Sequence, residues 1–403
     1  MVTLRRTLRG ASFVKAVAKV MRLPGWQKLM LVGFFLWLVI SLRAPLGLGA
    51  AHGLLSMGGL VSLLKLLTGL FILQGACEAL MQSVERLGAR LRWNGYVAGT
   101  IGEILSTLPE LVLITLVVRV EPLAAFIIAV VTIYNNALFF SIYSFFLPKD
   151  QEGKFVMPPA ITKAGTEVLI AGAGICLTIG LMMLGLRTEA HKEFLGWSDL
   201  LFYAVIMFTI FGFYLYSLIR YYAGSKEEHL PADPHTLGHP TDWKGILGFF
   251  LLGIVGSVLG GESVSSFAED ALHAFRFPAV VTGLMLAFFA GISEYVIVFK
   301  AHRRGDLGIA LSNVFGGITQ VMFLVVPYTF LMIGLFNLLT GDPRYVVPID
   351  FTTTSIMVLL FPLFFVLLQY IEEDHTLSNL DAAAMTGIYL LLIYVLVFSG
   401  TGG

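Results

Sequence analysis

Long apolar stretches, separated by short polar breaks, fill most of this chain of 403 residues. Eleven of them approach or exceed the length of about 20 residues that an α-helix needs to cross the hydrocarbon core of a bilayer. The sequence does not show the alternating strands of about ten residues that are typical of a membrane barrel. The pattern therefore predicts an all-α polytopic membrane protein, with spans at about 29–48, 54–88, 94–118, 122–147, 160–186, 199–221, 244–273, 277–300, 306–338, 350–371 and 382–399.

The composition agrees with this class of protein. Hydrophobic residues make up 57% of the chain and charged residues 13%, which is more apolar surface than a soluble domain of this size could bury. The formal net charge is +0, so nothing favours a nucleic acid partner, and we expect membrane lipid and cations instead. Cys77 and Cys176 lie in apolar runs, which indicates small core residues and not a disulfide framework. We expect no bound cofactor, and the oligomeric state is left open.

The basic residues indicate how the chain is oriented in the membrane. Residues 1–28 carry seven Lys and Arg and no acidic residue, interleaved with apolar residues. This is typical of a basic amphipathic segment on the cytoplasmic surface, with a disordered basic arm as the alternative. With the N-terminus in the cytoplasm, nineteen basic residues fall on the cytoplasmic side and six on the far side. We therefore predict a cytoplasmic N-terminus and a C-terminus on the opposite side.

A shift of 184 residues superimposes intramembrane glutamates of the first half on glutamates of the second. The aligned pairs are Glu78 with Glu262, Glu85 with Glu269, and Glu110 with Glu294. Carboxylates within a bilayer are costly and usually face a water-filled path or a partner. Two copies of such an arrangement predict a duplicated transporter with its ion site between the copies.

The predicted spans also make the second copy inverted. Glu110 lies in the third span and Glu294 in the eighth, and a separation of five spans reverses the direction in which the chain crosses the membrane. Inverted repeats are the architecture that supports alternating access. The predicted organisation is a basic segment at 1–28, an extra transmembrane helix at 29–53, a first five-helix repeat at 54–222, a cytoplasmic link at 223–243 and a second, inverted five-helix repeat at 244–403.

Each copy carries a candidate ion site at a point where the helix is disturbed. The first copy reads Ser106-Thr107-Leu108-Pro109-Glu110, and the proline removes a backbone donor and disturbs the turn before it. The second copy reads Gly291-Ile292-Ser293-Glu294, in which the glycine can loosen the helix. Freed carbonyls, hydroxyls and a carboxylate form the all-oxygen set that hard cations such as Ca²⁺ prefer. The alternative is a kinked helix whose carboxylate pairs with a basic group.

The spans that follow carry amides in otherwise apolar surroundings. Asn135 and Asn136 lie in the fourth span, and Asn313 and Gln320 lie in the ninth, where the 184 shift aligns Asn136 with Gln320. These amides can donate to the site carboxylates or offer a carbonyl oxygen to an ion. Gly316 and Gly317 between them permit close helix approach. Interhelical hydrogen bonding alone is the alternative.

Four further glutamates precede the candidate site in the two copies. Glu78 and Glu262 lie deep in their spans and are candidates for an ion or proton path. Glu85 and Glu269 lie near span ends, and for them we favour structural pairs seven residues onwards: Glu85 with Arg92, and Glu269 with Arg276.

The two candidate stretches resemble the α-repeats of the cation/Ca²⁺ exchanger superfamily. The first resemblance runs from Gly75-Ala76-Cys77-Glu78-Ala79-Leu80 through Gly99-Thr100-Ile101 to the segment ending at Glu110. The second runs from Gly291 to Pro327, and its Gly-Gly-Ile-Thr-Gln320 segment is nearest to the cation/proton exchanger branch. The first motif has Leu105 in place of its leading glycine, and the second has Ser293 where the sodium-type family has proline.

The resemblance implies the fold, the site and the activity. Glu110 and Glu294 would be the central ion ligands, Asn136 and Gln320 would flank them, and Thr107 and Ser293 would supply neighbouring oxygens. The protein would be a secondary antiporter that exchanges a cation, Ca²⁺ first among them, for protons. The alternatives are Na⁺/Ca²⁺ exchange or antiport of another cation and, in a different class, an intramembrane enzyme or a membrane scaffold. No H-E-x-x-H, P-loop or G-x-S-x-G motif occurs, which weakens the enzyme alternative.

Overall fold

The computed structural model describes residues 23–43, 57–91, 101–102, 104–157, 166–224, 242–305, 307–372 and 375–400, and this part of the chain is almost entirely helical. The first half contains α1 Gly25–Arg43, α2 Met57–Leu91, α3 Leu108–Val120, α4 Pro122–Ser144, β1 Lys154–Val156, α5 Thr166–Thr188, β2 Phe194–Leu195 and α6 Trp197–Gly224. The second half contains α7 Trp243–Glu269, α8 Ala279–Ala290, α9 Ile292–Arg304, α10 Leu307–Gln320, α11 Val326–Thr340, β3 Val347–Pro348, α12 Phe351–Val358, α13 Leu360–Glu372, β4 Thr376–Ser378 and α14 Asn379–Gly400.

The helices confirm the predicted all-α polytopic class. Nine continuous or nearly continuous helical stretches in the described residues are long and apolar enough to cross a membrane. Of the two other predicted spans, the last contains the shorter apolar stretch Asn379–Val395, and the third contains the 13-residue helix α3 after a break. The total of eleven spans stays a prediction. The basic segment up to residue 22 and the link residues 225–241 lie outside the described residues.

Glycines allow α2 and α7 to cross at very short range. A Cβ atom at Gly69 would lie 2.7 Å from the backbone oxygen of Gly260 and 2.5 Å from Val264 Cγ2. A Cβ atom at Gly253 would lie 3.1 Å from the backbone oxygen of Ala76 and 2.5 Å from a Leu80 side-chain carbon. The 184 shift converts each of these contacts into the other, and residue numbers rise along α2 as they fall along α7. The two corresponding helices therefore pack antiparallel, which is the orientation that an inverted repeat requires.

Two small strand pairs relate loops that are far apart in sequence. Strand β1 pairs with β4, with Lys154 opposite Ser378, and β2 pairs with β3, with Phe194 opposite Pro348. The orientation predicted from the basic residues would place β1 and β4 on the cytoplasmic side and β2 and β3 on the far side. Each pair thus joins two loops for which the same side of the membrane is predicted.

Helix α4 lies at the centre of the fold. Most of its residues are buried, and the Tyr134 hydroxyl donates a hydrogen bond to the backbone oxygen of Ile356 at 2.7 Å. Phe126 on the same helix stacks on Phe330, with 5.9 Å between the ring centroids. The peripheral helices α1 and α6 instead expose large apolar side chains such as Phe35, as expected for surfaces that face lipid. The central helix is therefore fixed from several sides.

An ion pair that was not predicted from the sequence joins the N-terminal part of α2 to the C-terminal end of α7. Lys65 Nζ lies 2.7 Å from Asp270 Oδ2, and the Ser62 hydroxyl donates to the same oxygen. The expected pair of Glu269 with Arg276 is not seen among the described residues, and both side chains are exposed. The side chain that turns inward at this end of α7 is Asp270, which begins the π-helical turn Asp270–Ala274.

Candidate cation site

Two breaks in the helices place the two central glutamates in comparable positions. Helix α3 begins after a turn at Thr107, and α9 begins after a turn at Gly291. These two positions are themselves 184 residues apart, as are Glu110 and Glu294, which lie in the first turns of the two helices. The N-terminal end of a helix carries partial positive charge and stabilises an anion. Both breaks therefore favour a carboxylate at this position.

Glu110 and Glu294 line one small cavity. The cavity leaves about 10 Å³ for the centre of a water-sized sphere, which is about the room that one water molecule needs. Its lining residues come from both halves of the chain: Cys77, Ser106, Glu110, Glu294, Ile297, Asn313, Gly317 and Gln320. Five of the predicted ion-binding residues are therefore brought together around a space of the size of a small ion.

A hydrogen bond from Asn136 orients the Glu294 carboxylate. The amide nitrogen Nδ2 of Asn136 donates to Glu294 Oε2 at 2.9 Å, and Asn136 is only 1% exposed. The Tyr295 hydroxyl donates at 3.4 Å to the amide oxygen of Asn136, and Phe139 stacks on the Tyr295 ring with 4.1 Å between centroids. These contacts fix the amide of Asn136 so that its donor faces the carboxylate.

A second hydrogen bond crosses between the halves at Thr107. Its hydroxyl donates to the amide oxygen Oε1 of Gln320 at 2.9 Å, and both residues are buried. Gln320 lines the cavity, whereas Thr107 does not. Thr107 therefore acts as a support for the predicted ligand Gln320 and not as a lining residue itself.

Gly317 gives the Glu294 carboxylate the space that it occupies. A Cβ atom at Gly317 would lie 2.6 Å from Glu294 Oε2 and 2.9 Å from Asn136 Nδ2. Asn313, Gly317 and Gln320 follow at intervals of four and three residues, so they share one face of α10. The sequence predicts that this glycine permits close helix approach. Its closest neighbours in the structure are the side chains of the site.

A larger apolar chamber adjoins the cavity. It has a volume of about 230 Å³, and Cys77, Ser106 and Glu110 line both spaces. Gln74 also lines the chamber, and its amide nitrogen and oxygen are buried without a hydrogen-bond partner among the described residues. Glu110 therefore lies at the boundary between the polar cavity and this chamber.

Several predicted residues lie elsewhere. Asn135 does not line the cavity, and its amide nitrogen is buried without a partner in the described part of the chain. Glu78 forms an ion pair with Lys300, and Glu262 is exposed, so neither path candidate lines the two cavities described above. Glu85 is exposed and accepts a hydrogen bond from Gln82 at 3.5 Å. Two of the predicted site residues cannot be placed, because Arg92 and the side chain of Ser293 lie outside the described part of the chain.

Sequence reasoning missed Cys77, Ile297 and Gly317 as lining residues. Ile297 lies one helical turn after Glu294, and Gly317 lies one turn after Asn313, so helical spacing from the predicted ligands could have found both. Cys77 is 3% exposed and was predicted to be a small core residue, whereas the charged neighbour Glu78 was predicted as a path residue. The face of α2 that carries Cys77 is the one that meets the cavity.

Comparison with known proteins agrees with this architecture. Residues 245–398 match the family model described as sodium/calcium exchanger protein. The match lies in the second half of the chain and agrees with the resemblance to the cation/Ca²⁺ exchanger superfamily noted in the sequence. No curated protein matches the chain.

Solved exchanger structures share the fold at low sequence identity. The H⁺/Ca²⁺ exchanger CAX is 13% identical with a TM-score of 0.67, covering 93% of this chain and 88% of that one. Native YfkE is 13% identical with a TM-score of 0.61, covering 93% and 99%. The sodium–calcium exchanger NCX_Mj is 16% identical with a TM-score of 0.52, covering 83% and 97%. The resemblance to the superfamily noted in the sequence is thereby confirmed.

Proposed function

We propose that this exchanger-superfamily chain is a secondary antiporter that exchanges Ca²⁺ for protons by alternating access. The observation that carries the proposal is the meeting of Glu110 and Glu294, from equivalent positions of the two halves, at one small buried cavity. No basic side chain is among the residues that line the cavity. Buried carboxylates require a compensating positive charge, and a bound cation or protons would supply it.

The donor set favours a hard divalent cation. Besides the two carboxylates, the lining offers amide and hydroxyl groups from Ser106, Asn313 and Gln320. Ca²⁺ is bound by oxygen ligands of these kinds, supplemented by backbone carbonyls and water. One divalent cation neutralises two carboxylates, and so do two protons. The same pair of residues can therefore carry either the cation or the protons, which is the competition that an antiporter needs.

Two counter-ions compete as hypotheses. Protons are supported by the fold comparison, because the H⁺/Ca²⁺ exchanger CAX covers more of this chain, at a higher TM-score, than NCX_Mj does. Sodium is supported by the match of residues 245–398 to the sodium/calcium exchanger model. We favour protons, since Glu110 and Glu294 can both be protonated and the second α-repeat is nearest to the cation/proton branch.

The antiparallel crossing of α2 and α7 supports alternating access. The crossing is made by glycines and by contacts that the 184 shift interconverts, so the two halves have similar surfaces facing each other. Exchange of roles between two such halves would open the shared site to one side and then to the other. The positive-inside bias supports an orientation with the N-terminus in the cytoplasm.

The test is flux into proteoliposomes that contain the purified protein. We expect an imposed pH gradient to drive Ca²⁺ uptake without Na⁺, with protons moving in the opposite direction. Glu110→Gln and Glu294→Gln should each abolish uptake and leave the protein folded, whereas Glu262→Gln, which changes an exposed glutamate outside the cavity, should transport normally. Uptake that requires Na⁺ would favour the second hypothesis. Substantial Ca²⁺-dependent proton flux in either central variant would refute the assignment of the site.

A further inference from the structure

The backbone of Gly317 forms one wall of the candidate cation cavity. A Cβ atom there would stand 2.6 Å from Glu294 Oε2, and such contacts under 3.0 Å require a shift of at least about 0.4 Å. The neighbouring Asn136 Nδ2 would lie at 2.9 Å from the same Cβ atom, so the carboxylate and its hydrogen-bond donor are both confined on this side. No other residue of α10 that lines the cavity is a glycine.

A side chain at this position would force the Glu294 carboxylate, the far end of a flexible side chain, to change its position at the cavity. Gly317 and Glu294 both line this cavity, which has room for about one water molecule. Ca²⁺ binds oxygen at about 2.3–2.6 Å and Mg²⁺ at about 2.0–2.1 Å, so about 0.3–0.5 Å separates the two cations. The displacement that one methyl group would impose is thus of the same size as the difference between cations.

We propose that Gly317 determines the size of the cation that this site accepts. The absence of a side chain leaves the Glu294 carboxylate far enough back for an ion as large as Ca²⁺. The inference rests on the proposed function, because it names a property of the same transport site. The proposal assigns size discrimination to the second half of the chain. The aligned residue of the first half, 184 positions earlier, is Ile133, which is fully buried and does not line the cavity.

The experiment measures uptake of Mg²⁺, Ca²⁺, Sr²⁺ and Ba²⁺ by the full chain in proteoliposomes. Gly317→Ala should lower the ratio of Ba²⁺ to Ca²⁺ uptake about tenfold, the discrimination that one methyl group gives in a tight pocket. The matched control is Gly387→Ala, a glycine in helix α14 with nothing within 4 Å of its Cβ position, and its ratios should equal those of the wild type. Unchanged ratios in Gly317→Ala would overturn the proposal.

A second variant tests the same idea in the opposite direction. Ile297→Val removes one methyl group from another wall of the cavity and should raise the ratio of Ba²⁺ to Ca²⁺ uptake. If Gly317→Ala does not fold, a ratio that fails to rise in Ile297→Val overturns the proposal, and a rise supports it.

Cation-dependent thermal stabilisation of the detergent-solubilised proteins gives a readout that does not need transport. A wild-type protein without flux would overturn the proposed function. The stabilisation of wild type, Gly317→Ala and Ile297→Val by each of the four cations would still decide the role of Gly317. If all three proteins showed the same order of cations and the same relative stabilisation by each, the proposal would be wrong.

Discussion

The hydrogen bond from Asn136 to Glu294 allows a quantitative prediction. Asn136→Leu removes the amide nitrogen that donates to Glu294 at 2.9 Å and puts an apolar side chain of similar size in its fully buried position. A hydrogen bond to a charged group contributes about 1.5–3 kcal/mol, and each 1.4 kcal/mol is about tenfold in affinity. Because the carboxylate would lose the contact that orients it, we expect the half-saturating Ca²⁺ concentration to rise by about 10- to 150-fold.

The neighbouring asparagine supplies the control. Asn135 lies on the same helix, but it does not line the cavity, and its amide nitrogen lacks a partner among the described residues. Replacing such a group by an apolar one is close to neutral or stabilising. Asn135→Leu should therefore transport with a half-saturating concentration close to that of the wild type.

The assay is initial Ca²⁺ uptake into proteoliposomes at fixed pH gradient over a range of Ca²⁺ concentrations. Interhelical hydrogen bonds in membranes average about 0.6 kcal/mol, which corresponds to less than about a threefold change. A change of less than threefold in Asn136→Leu would show that the contact is an ordinary helix–helix bond. The reasoning would also fail if Asn135→Leu were impaired as strongly as Asn136→Leu.

Three further predictions concern the supports of the site and the fold. Thr107→Val leaves the buried amide oxygen of Gln320 without its donor, so Ca²⁺ affinity should fall by about three- to tenfold, with recovery in Thr107→Ser, measured by the same uptake assay. Gly253→Ala forces a Cβ atom into the α2–α7 crossing and should destabilise the protein by about 1–3 kcal/mol. Gly248→Ala on the same helix, where no atom lies within 4 Å of the Cβ position, should not destabilise it. Equal melting temperatures for the two variants would contradict this prediction. Lys65→Met should lower stability by about 1 kcal/mol or less, because its ion pair is partly exposed, and the loss should disappear when its aspartate partner is also replaced by leucine.

Much of the fold could be predicted from the sequence because the bilayer limits the choices. Apolar stretches of about 20 residues can only be helices, and carboxylates within them are costly enough to mark a site. The same reasoning identified the disturbed turns at Thr107 and Gly291, since proline and glycine weaken a helix locally. The class of protein therefore followed from local sequence, and local sequence together with the repeat supplied the candidate carboxylates and amides.

The partners of individual side chains could not be predicted in this way. Lys300 pairs with Glu78 across 222 positions, and Thr107 bonds to Gln320 across 213 positions, so no local spacing reveals either contact. Glu78 looked like a path residue because it lies deep in its predicted span. The chain supplies its counter-ion from α9, the helix that also carries Glu294. Such contacts depend on how helices rotate against each other, which periodicity alone does not determine.

The two halves are alike in backbone and unlike in the side chains that complete the site. Breaks, carboxylates and glycine crossings are related by the 184 shift, but the contacts of the carboxylates are not. Glu294 accepts a hydrogen bond from Asn136, whereas the aligned amide, Gln320, accepts one from Thr107.

Five of the eight lining residues belong to the second half. Symmetry of the backbone is what alternating access needs, because each half must be able to take the position of the other. Recognition of one ion has no such requirement, since a single occupied site needs only one set of ligands. We therefore expect substitutions at Ile297 and Gly317 to change which cation is carried, and substitutions at the glycines of the α2–α7 crossing to change the rate at which any cation is carried.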